Sequence, residues 1–358
     1  MRPVAGSAPL GAYGACMRVL VAPDCFTGTL TAAEAAAAIG EGWSRTDPTG
    51  SVELAPLSDG GPGFVDVLGR AVTAQLVLAQ VSGPLGEPVE AGLLLAEDGT
   101  AYIEAAQACG LALVPAGHTS ALDASTEGVG DLLRCALDHG AARVVVGVGG
   151  TASTDGGRGA LERFGAGPWP AGVALTVATD VDNPLLGGNG AAAVFGPQKG
   201  ADRATVAVLA ERLATWAAAT RGPADAPGAG AGGGLGYGLM LLGGRRVSGA
   251  QTVIDAVGLE QRARGVDLLL TGEGAFDATS LRGKVPRAVA WVAQRTGRPC
   301  VVLAGRVLVG RREFAAAGID AAYAIEEVAG SVQAARARPG PGLADLAERV
   351  ARSWVPRR

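Results

Sequence analysis

Arg18-Val19-Leu20-Val21-Ala22-Pro23-Asp24 is an apolar run closed by a proline and an aspartate. It reads as a buried parallel strand ended by a turn, because strands covered on both faces carry near-continuous Val and Leu. Thr31-Ala32-Ala33-Glu34 follows as a capping box, so an alanine-rich helix is expected to about Arg45. Val52 to Leu57 reads as a second strand, followed by the turn Ser58-Asp59-Gly60-Gly61-Pro62-Gly63 and another helix. Strand, helix, strand, helix is the order of a parallel sheet covered by helices.

From about Gln75 the pattern changes. Gln75–Val81, Val89–Leu95 and Thr100–Ala105 read as short strands joined by Gly, Pro and Asp turns, hence an antiparallel meander. Strands Ala142–Val148 and Val173–Thr179 follow among helical segments. Arg221–Gly238 is dominated by Gly, Ala and Pro; its first part reads as a mobile connection and its second as a glycine-rich loop opening a helix. Alternation returns with Val266–Thr271, Pro286–Thr296, Cys300–Ala304 and Ala321–Ile325, and Ala334–Gly342 reads as a polar link to a last amphipathic helix. The expectation is an α/β protein of two domains: 17–78 and 260–358 form one, and 79–259 is a mixed α/β domain inserted into it. Residues 1–16, small and broken by Pro and Gly ahead of Met17, are expected to be a disordered extension.

Composition narrows the function. Hydrophobic residues make up 48%, charged residues 18%, and the formal charge is −4. No basic block is interleaved with aromatics, so nucleic acid is not expected as a partner. No uninterrupted apolar stretch reaches the roughly 18 residues that span a bilayer, so no membrane partner is expected. The five cysteines are scattered without a C-x-x-C pair, which suits free thiols in a reducing cytoplasm. The two histidines are poorly placed for a hydrolase: His118 falls in a loop and His139 at a helix end, where it complements the dipole.

Phosphate chemistry is suggested by the lysines. Of thirty basic residues only Lys199 and Lys284 are lysine, and both lie in glycine-flanked loops, Gly196-Pro197-Gln198-Lys199-Gly200 and Leu281-Arg282-Gly283-Lys284-Val285-Pro286. A lysine ammonium is a compact, mobile point charge suited to a phosphate oxygen. Acidic residues gather after apolar runs: Asp24, Asp59, Asp155, Asp180 with Asp182, and Glu273 with Asp277. Ligands of open α/β sheets sit outside the carboxyl ends of the strands. So many carboxylates suit a magnesium ion plus a base, although Asp also caps helices and turns. Gly147–Gly157 and Gly228–Gly236 could present backbone N–H groups to an anion, with Gly149, Gly150, Gly232, Gly233 and Gly234 as the cradle. The Walker A spacing is absent, and the first strand does not turn through three spaced glycines.

These segments together resemble the bacterial class-I glycerate kinase family from about Arg18 to Arg352. The most specific stretch runs from Asp180-Val181-Asp182-Asn183-Pro184-Leu185 through Gly190-Ala191-Ala192-Ala193-Val194-Phe195-Gly196-Pro197-Gln198-Lys199-Gly200-Ala201. The resemblance implies a flavodoxin-like domain formed by both chain ends with a second domain inserted. It also implies Mg²⁺-dependent transfer of the ATP γ-phosphoryl group to a hydroxyl of D-glycerate, usually giving 2-phosphoglycerate. Lys199 and Lys284 would then supply phosphate charge. Asp180, Asp182 and Glu273 would hold Mg²⁺, with Asp180 and Glu273 also candidates to accept the hydroxyl proton. Asp24, Asp59, Asp155 and Asn183 would shape the acceptor pocket, with Arg282 for the substrate's carboxylate. A small hydroxy acid is the implied partner, and a homo-oligomer is left open.

The chain also departs from the family's pattern. Ser-Phe-Lys-Gly-Ser is Cys25-Phe26-Thr27-Gly28-Thr29, and Asp-Gly-Gly-Glu-Gly is Asp59-Gly60-Gly61-Pro62-Gly63. Ser-Ala-Thr-Asn-Asp is Thr151-Ala152-Ser153-Thr154-Asp155, and Gly-Glu-Gly-Arg-x-Asp is Gly272-Glu273-Gly274-Ala275-Phe276-Asp277, with Thr279 in place of a Gln. Action on another small hydroxy acid, or metabolite binding without turnover, are the alternatives these changes leave open.

Overall fold

The structure, a computed structural model, describes residues 16–115, 121–165 and 167–356. The extension expected over 1–16 therefore lies, but for Cys16, outside the described residues, as does His118. In chain order the strands are β1 (Arg18–Val21), β2 (Ser51–Leu54), β3 (Ala74–Ser82), β4 (Pro88–Ala96), β5 (Thr100–Glu104), β6 (Arg143–Gly147) and β7 (Ala174–Ala178). They continue as β8 (Arg245–Val247), β9 (Leu268–Thr271), β10 (Ala275–Phe276), β11 (Cys300–Ala304), β12 (Arg306–Val307) and β13 (Ala321–Ala324).

The run at Arg18 does form a central strand. β1 pairs in parallel with β2 on one side and β9 on the other, within a five-stranded parallel sheet of order β13-β11-β9-β1-β2. Counted along the chain within this sheet, that is the flavodoxin-like order, whose direction reverses between β1 and β9. Successive side chains of these strands feed two cores. Leu20, Leu269 and Val302 pack towards the helices Phe64–Ala71 and Val285–Thr296. Val19, Val21, Leu268, Leu270, Val301 and Leu303 pack with Trp43 and Leu346 of the helices Ala32–Thr46 and Pro339–Trp354. Thr31 caps the first of these as expected: its Oγ1 accepts from Glu34 N (3.2 Å), and Glu34 Oε2 accepts from Thr31 N (2.8 Å).

The six-stranded second sheet has the order β3-β4-β5-β6-β7-β8. Its first three strands form the expected antiparallel meander, and β5 to β8 are parallel. β3 begins at Ala74, so the chain enters this sheet ahead of residue 78. One local reading is corrected, and one strand went unread. The tail from Ala334 is not an open link, because the helices Val332–Ala337 and Pro339–Trp354 take up nearly all of it. Proline is tolerated there because the first turn of a helix has no intrahelical use for its N–H. β8, a three-residue edge strand of two arginines and a valine, carried no alternation long enough to read. Among the described residues no helix is long and apolar enough to cross a membrane.

The two sheets meet through glycine. Gly149 N, just past β6, donates to Gly60 O (3.0 Å), and a Cβ on Gly149 would lie 2.6 Å from Gly61 Cα. Glu104, at the end of β5, accepts from Gly63 N and Val65 N (3.1 Å each), capping a helix that has no side-chain cap of its own. A similar close approach joins the terminal helices, where a Cβ on Gly42 would stand 1.9 Å from Ala344 O. Gly42→Ala should therefore force those helices apart and cost about 1–3 kcal/mol. Urea unfolding should show this as a lower midpoint at unchanged slope; an unchanged midpoint would mean the helices slide apart freely.

Candidate active site

Asp24 lies just beyond β1 and Glu273 just beyond β9, on the two sides of the point where strand order reverses. Open α/β sheets bind ligands in that crevice. A cleft of about 550 Å³ opens there, lined by Asp24, Asp59, Glu273, Asp277 and Lys284, with Gly149 and Gly150 of the second sheet across from them. A smaller pocket of about 210 Å³ adjoins it, sharing Asp59, Gly149, Gly150, Gln198 and Lys284 and adding Asp180, Lys199, Gly232 and Gly233. The site thus lies where the two sheets meet.

The charges explain one another. Burial pulls the Lys284 ammonium down, but Asp59, Glu273, Asp24 and Asp277 outweigh it, so its pKa lies above the ordinary lysine value. Burial, then Asp59 and Glu273, push Asp24 well up, although its Oδ1 accepts from Cys25 N (2.7 Å). Burial raises Glu273 to about 7 against the opposing pull of Ser280 and Lys284, and its buried Oε1 has no hydrogen-bond partner. Burial likewise raises Asp180 to about 6, against bonds from Ser248 and Ala250 N (2.9 Å). Burial and Asp24 push the Cys25 thiol up, which makes it a poor nucleophile. Perturbed groups gathered in a cleft are the mark of a functional site.

Lys199 is placed differently from Lys284. It is only 3% exposed, and its Nζ donates to Ser153 O, with Thr151 Oγ1 at 3.5 Å. Burial pulls its pKa to about 8. Gly232, Gly233 and Gly234 all have positive φ (61°, 69° and 93°), and a Cβ on Gly233 would meet Ser153 O at 1.9 Å and Lys199 Nζ at 2.7 Å. Lys199 therefore pins the Thr151–Ser153 loop directly against the glycine run. Of the five expected cradle glycines, Gly149, Gly150, Gly232 and Gly233 line the pockets. Gly234 instead faces Gly156 and Leu185.

The remaining expected site residues lie elsewhere. Asp155 accepts from Thr126 N and Oγ1, Gly157 N and Gly159 N (2.7–3.1 Å), so its carboxylate organises the start of the helix Arg158–Phe164. Asn183 Nδ2 donates to Asn189 O (2.8 Å), closing its own loop. Asp182 is largely exposed and ion-paired to Arg246 (2.7 Å). Among the described residues no three His, Cys, Asp or Glu side chains group to hold a metal, so Asp180, Asp182 and Glu273 do not form a cage. Arg282 lines a separate groove with Arg287 and Trp291. The cations in the cleft besides Lys284 are Arg306 and Arg336, which the motif reading missed. Arg306 carried a usable signal, since it follows an apolar strand by two residues. Thr27, Pro62 and Ala275, three of the departures from the family's pattern, all line the cleft. Thr279 instead braces Asp277 Oδ1 (2.6 and 2.7 Å), and Thr154 Oγ1 is buried without a partner.

A flavodoxin-like sheet with an acid- and lysine-lined switch-point crevice, closed by glycine loops of a second sheet, is the arrangement of an α/β enzyme. The glycerate kinase family model matches residues 19–170 and 166–355, and the chain belongs to that family. It is 49% identical to an uncharacterized Mycobacterium tuberculosis protein over 94% of this chain and 91% of that one. It is 36% identical to the glycerate 2-kinase of Escherichia coli K12, over 86% of this chain and 90% of that one. The crystal structure of a protein assigned as glycerate kinase 2 from Salmonella typhimurium LT2 superposes with a TM-score of 0.71 at 33% identity, covering 95% and 98% of the two chains.

The raised carboxylates give a stability prediction. Asp24, Asp180 and Glu273 bind protons more tightly folded than unfolded. Their contribution is complete below the unfolded values near 4 and is lost as pH rises through about 6 for Asp180 and about 7 for Glu273. In metal-free buffer the melting midpoint should fall between pH 5 and 8, and Glu273→Gln should flatten the upper part of that fall. A midpoint that climbs across this range in differential scanning calorimetry would contradict the assignment.

Proposed function

We propose that the protein transfers the γ-phosphoryl group of ATP to the C2 hydroxyl of D-glycerate, giving 2-phosphoglycerate and ADP with Mg²⁺. The observation that carries this reading is Lys284: an ammonium kept charged by four carboxylates, at the switch-point crevice and facing two glycine loops. Phosphoryl transfer needs positioning and charge neutralisation above all. Lys284 would neutralise charge on the transferring group while Gly150, Gly232 and Gly233 let backbone approach the phosphates closely. Glu273, raised to about 7 with an unpartnered Oε1, is suited to take the acceptor's hydroxyl proton as the new O–P bond forms and the β–γ bridge breaks.

The donor set fits a divalent cation. Several carboxylates converge on one ammonium; burial first, and the neighbouring carboxylates after it, raise Asp24 and Glu273. Mg²⁺ asks for one or two protein carboxylates, with phosphate oxygens and water completing its shell. Asp59 and Asp180, which line the smaller pocket beside the glycine loops, would hold it, and it would supply charge neutralisation across the phosphates. A second reading, action on another small hydroxy acid, is favoured by Thr27, Pro62 and Ala275 all lining the cleft.

Enolase converts 2-phosphoglycerate directly, whereas 3-phosphoglycerate needs a mutase first, so coupling MgATP and D-glycerate to enolase tests the acceptor and the position together. Turnover of another hydroxy acid with none of glycerate would select the second reading. Lys284→Met should lower kcat by about 10²–10³ while shifting the melting midpoint little; an unchanged kcat would remove Lys284 from the chemistry. Glu273→Gln should lower kcat by about 10²–10⁴ with little change in either KM.

A further inference from the structure

A carboxylate-bearing acceptor entering this cleft meets Asp24, Asp59 and Glu273, and Lys284 is already surrounded by them. The acid needs another cation, and Arg282 faces a different groove. Two arginines do line the cleft. Arg306 is in β12, directly across the parallel ladder from Ala275, the position where the family's pattern carries an arginine. Its N donates to Gly274 O (3.1 Å) and Gly305 N donates to Glu273 O (3.1 Å), so its backbone is tied to the Glu273 loop. A Cβ on Gly305 would stand 2.4 Å from Gly274 O, so this junction requires glycine. Glu326 Oε2 holds Arg306 through Nε (3.3 Å), fixing the guanidinium while its side chain stays 47% exposed. Arg336 sits on the helix Val332–Ala337, anchored by Ala335 in the core, and among the described residues it has no ion-pair or hydrogen-bond partner.

We infer that Arg306 and Arg336 form the cationic wall of the cleft and receive the carboxylate of the acid acceptor. The inference rests on the hydroxy-acid kinase reading above. A guanidinium held at Nε still offers its terminal N–H groups to a carboxylate, and Arg336 offers its whole fork. The side chain at 275 is a methyl group, which leaves the space beside Arg306 open to ligand.

The test is a set of variants, Arg306→Ala, Arg336→Ala and Arg306→Lys, assayed for KM of D-glycerate and ATP separately and for D-glycerate binding by calorimetry. Each alanine variant is expected to raise the glycerate KM and Kd by about 10- to 100-fold with the ATP KM within about twofold, and Arg306→Lys should recover part of the loss. Glyceramide, which lacks the carboxylate charge, should bind wild type and variants alike. A rise confined to the ATP KM would assign the arginines to the phosphates and overturn the inference. Unchanged glycerate constants in a wild type that turns glycerate over would overturn it too. Wild type that binds glycerate but never phosphorylates it, with binding lost in the variants, would sustain the clamp and sink the kinase reading. No binding of any small hydroxy acid by wild type would sink both.

Discussion

The architecture depends on one contact without side chains: Gly149 of the second sheet against Gly60 and Gly61 of the first. A Cβ on Gly149 would be 2.6 Å from Gly61 Cα, and one on Gly60 would be 2.6 Å from Ala178 O. Gly60 has φ +93°, a region where L side chains are strained. Because both loops are bare here, the carboxyl ends of two different sheets can face each other at backbone distance. Asp59, next in the chain, is thereby carried to the boundary of both pockets. The cleft is a consequence of this docking.

Docking two sheets this closely buries charge. Desolvation disfavours the ionised forms of Asp24 and Glu273, and repulsion from neighbouring carboxylates adds to it, so both are raised despite the lysine beside them. An apolar filling would stabilise the fold better. On the Mg²⁺-dependent reading proposed above, the missing positive charge would arrive with the ligand, and binding would relieve a destabilised site. Lys199 shows the contrasting solution. It is buried more deeply, its charge is disfavoured, and its partners are fixed protein oxygens. One lysine faces the cleft and the other holds the loops that line it.

The fold was largely legible because its signals are local. The Val-Leu run at 19–21, the Thr31–Glu34 box and the Gly/Pro turns each specify one element and together a parallel sheet covered by helices, while the flavodoxin-like order was implied by the family resemblance. The candidate site was legible where position along a strand decides placement: Asp24, Asp59, Glu273 and Lys284 all follow strand ends or open helices and line the cleft. It was illegible where the partner decides. Asp155 and Asp24 look alike in sequence, yet one meets four N–H and O–H donors and the other meets carboxylates. Arg282 and Lys284 are two residues apart, but the turn through Gly283 at φ +137° sends them into different grooves.

A motif counts residues along the chain, whereas a binding site counts charges in space. Read linearly, this chain lacks the cation expected at Ala275. In the fold, position 275 has a ladder neighbour thirty-one positions later, and that neighbour is Arg306. Residues opposed across a ladder stand near enough for one to occupy the space the other gives up. A small residue at 275 and a large basic one at 306 therefore preserve a guanidinium on the same wall, aimed from the adjacent strand. Thr27 and Pro62, where the family's pattern carries a lysine and a glutamate, line the same cleft with uncharged side chains, so the wall nearest β1 is where the cleft departs from that pattern. Differences in acceptor preference within the family should therefore track that wall more than the Ala275–Arg306 pair.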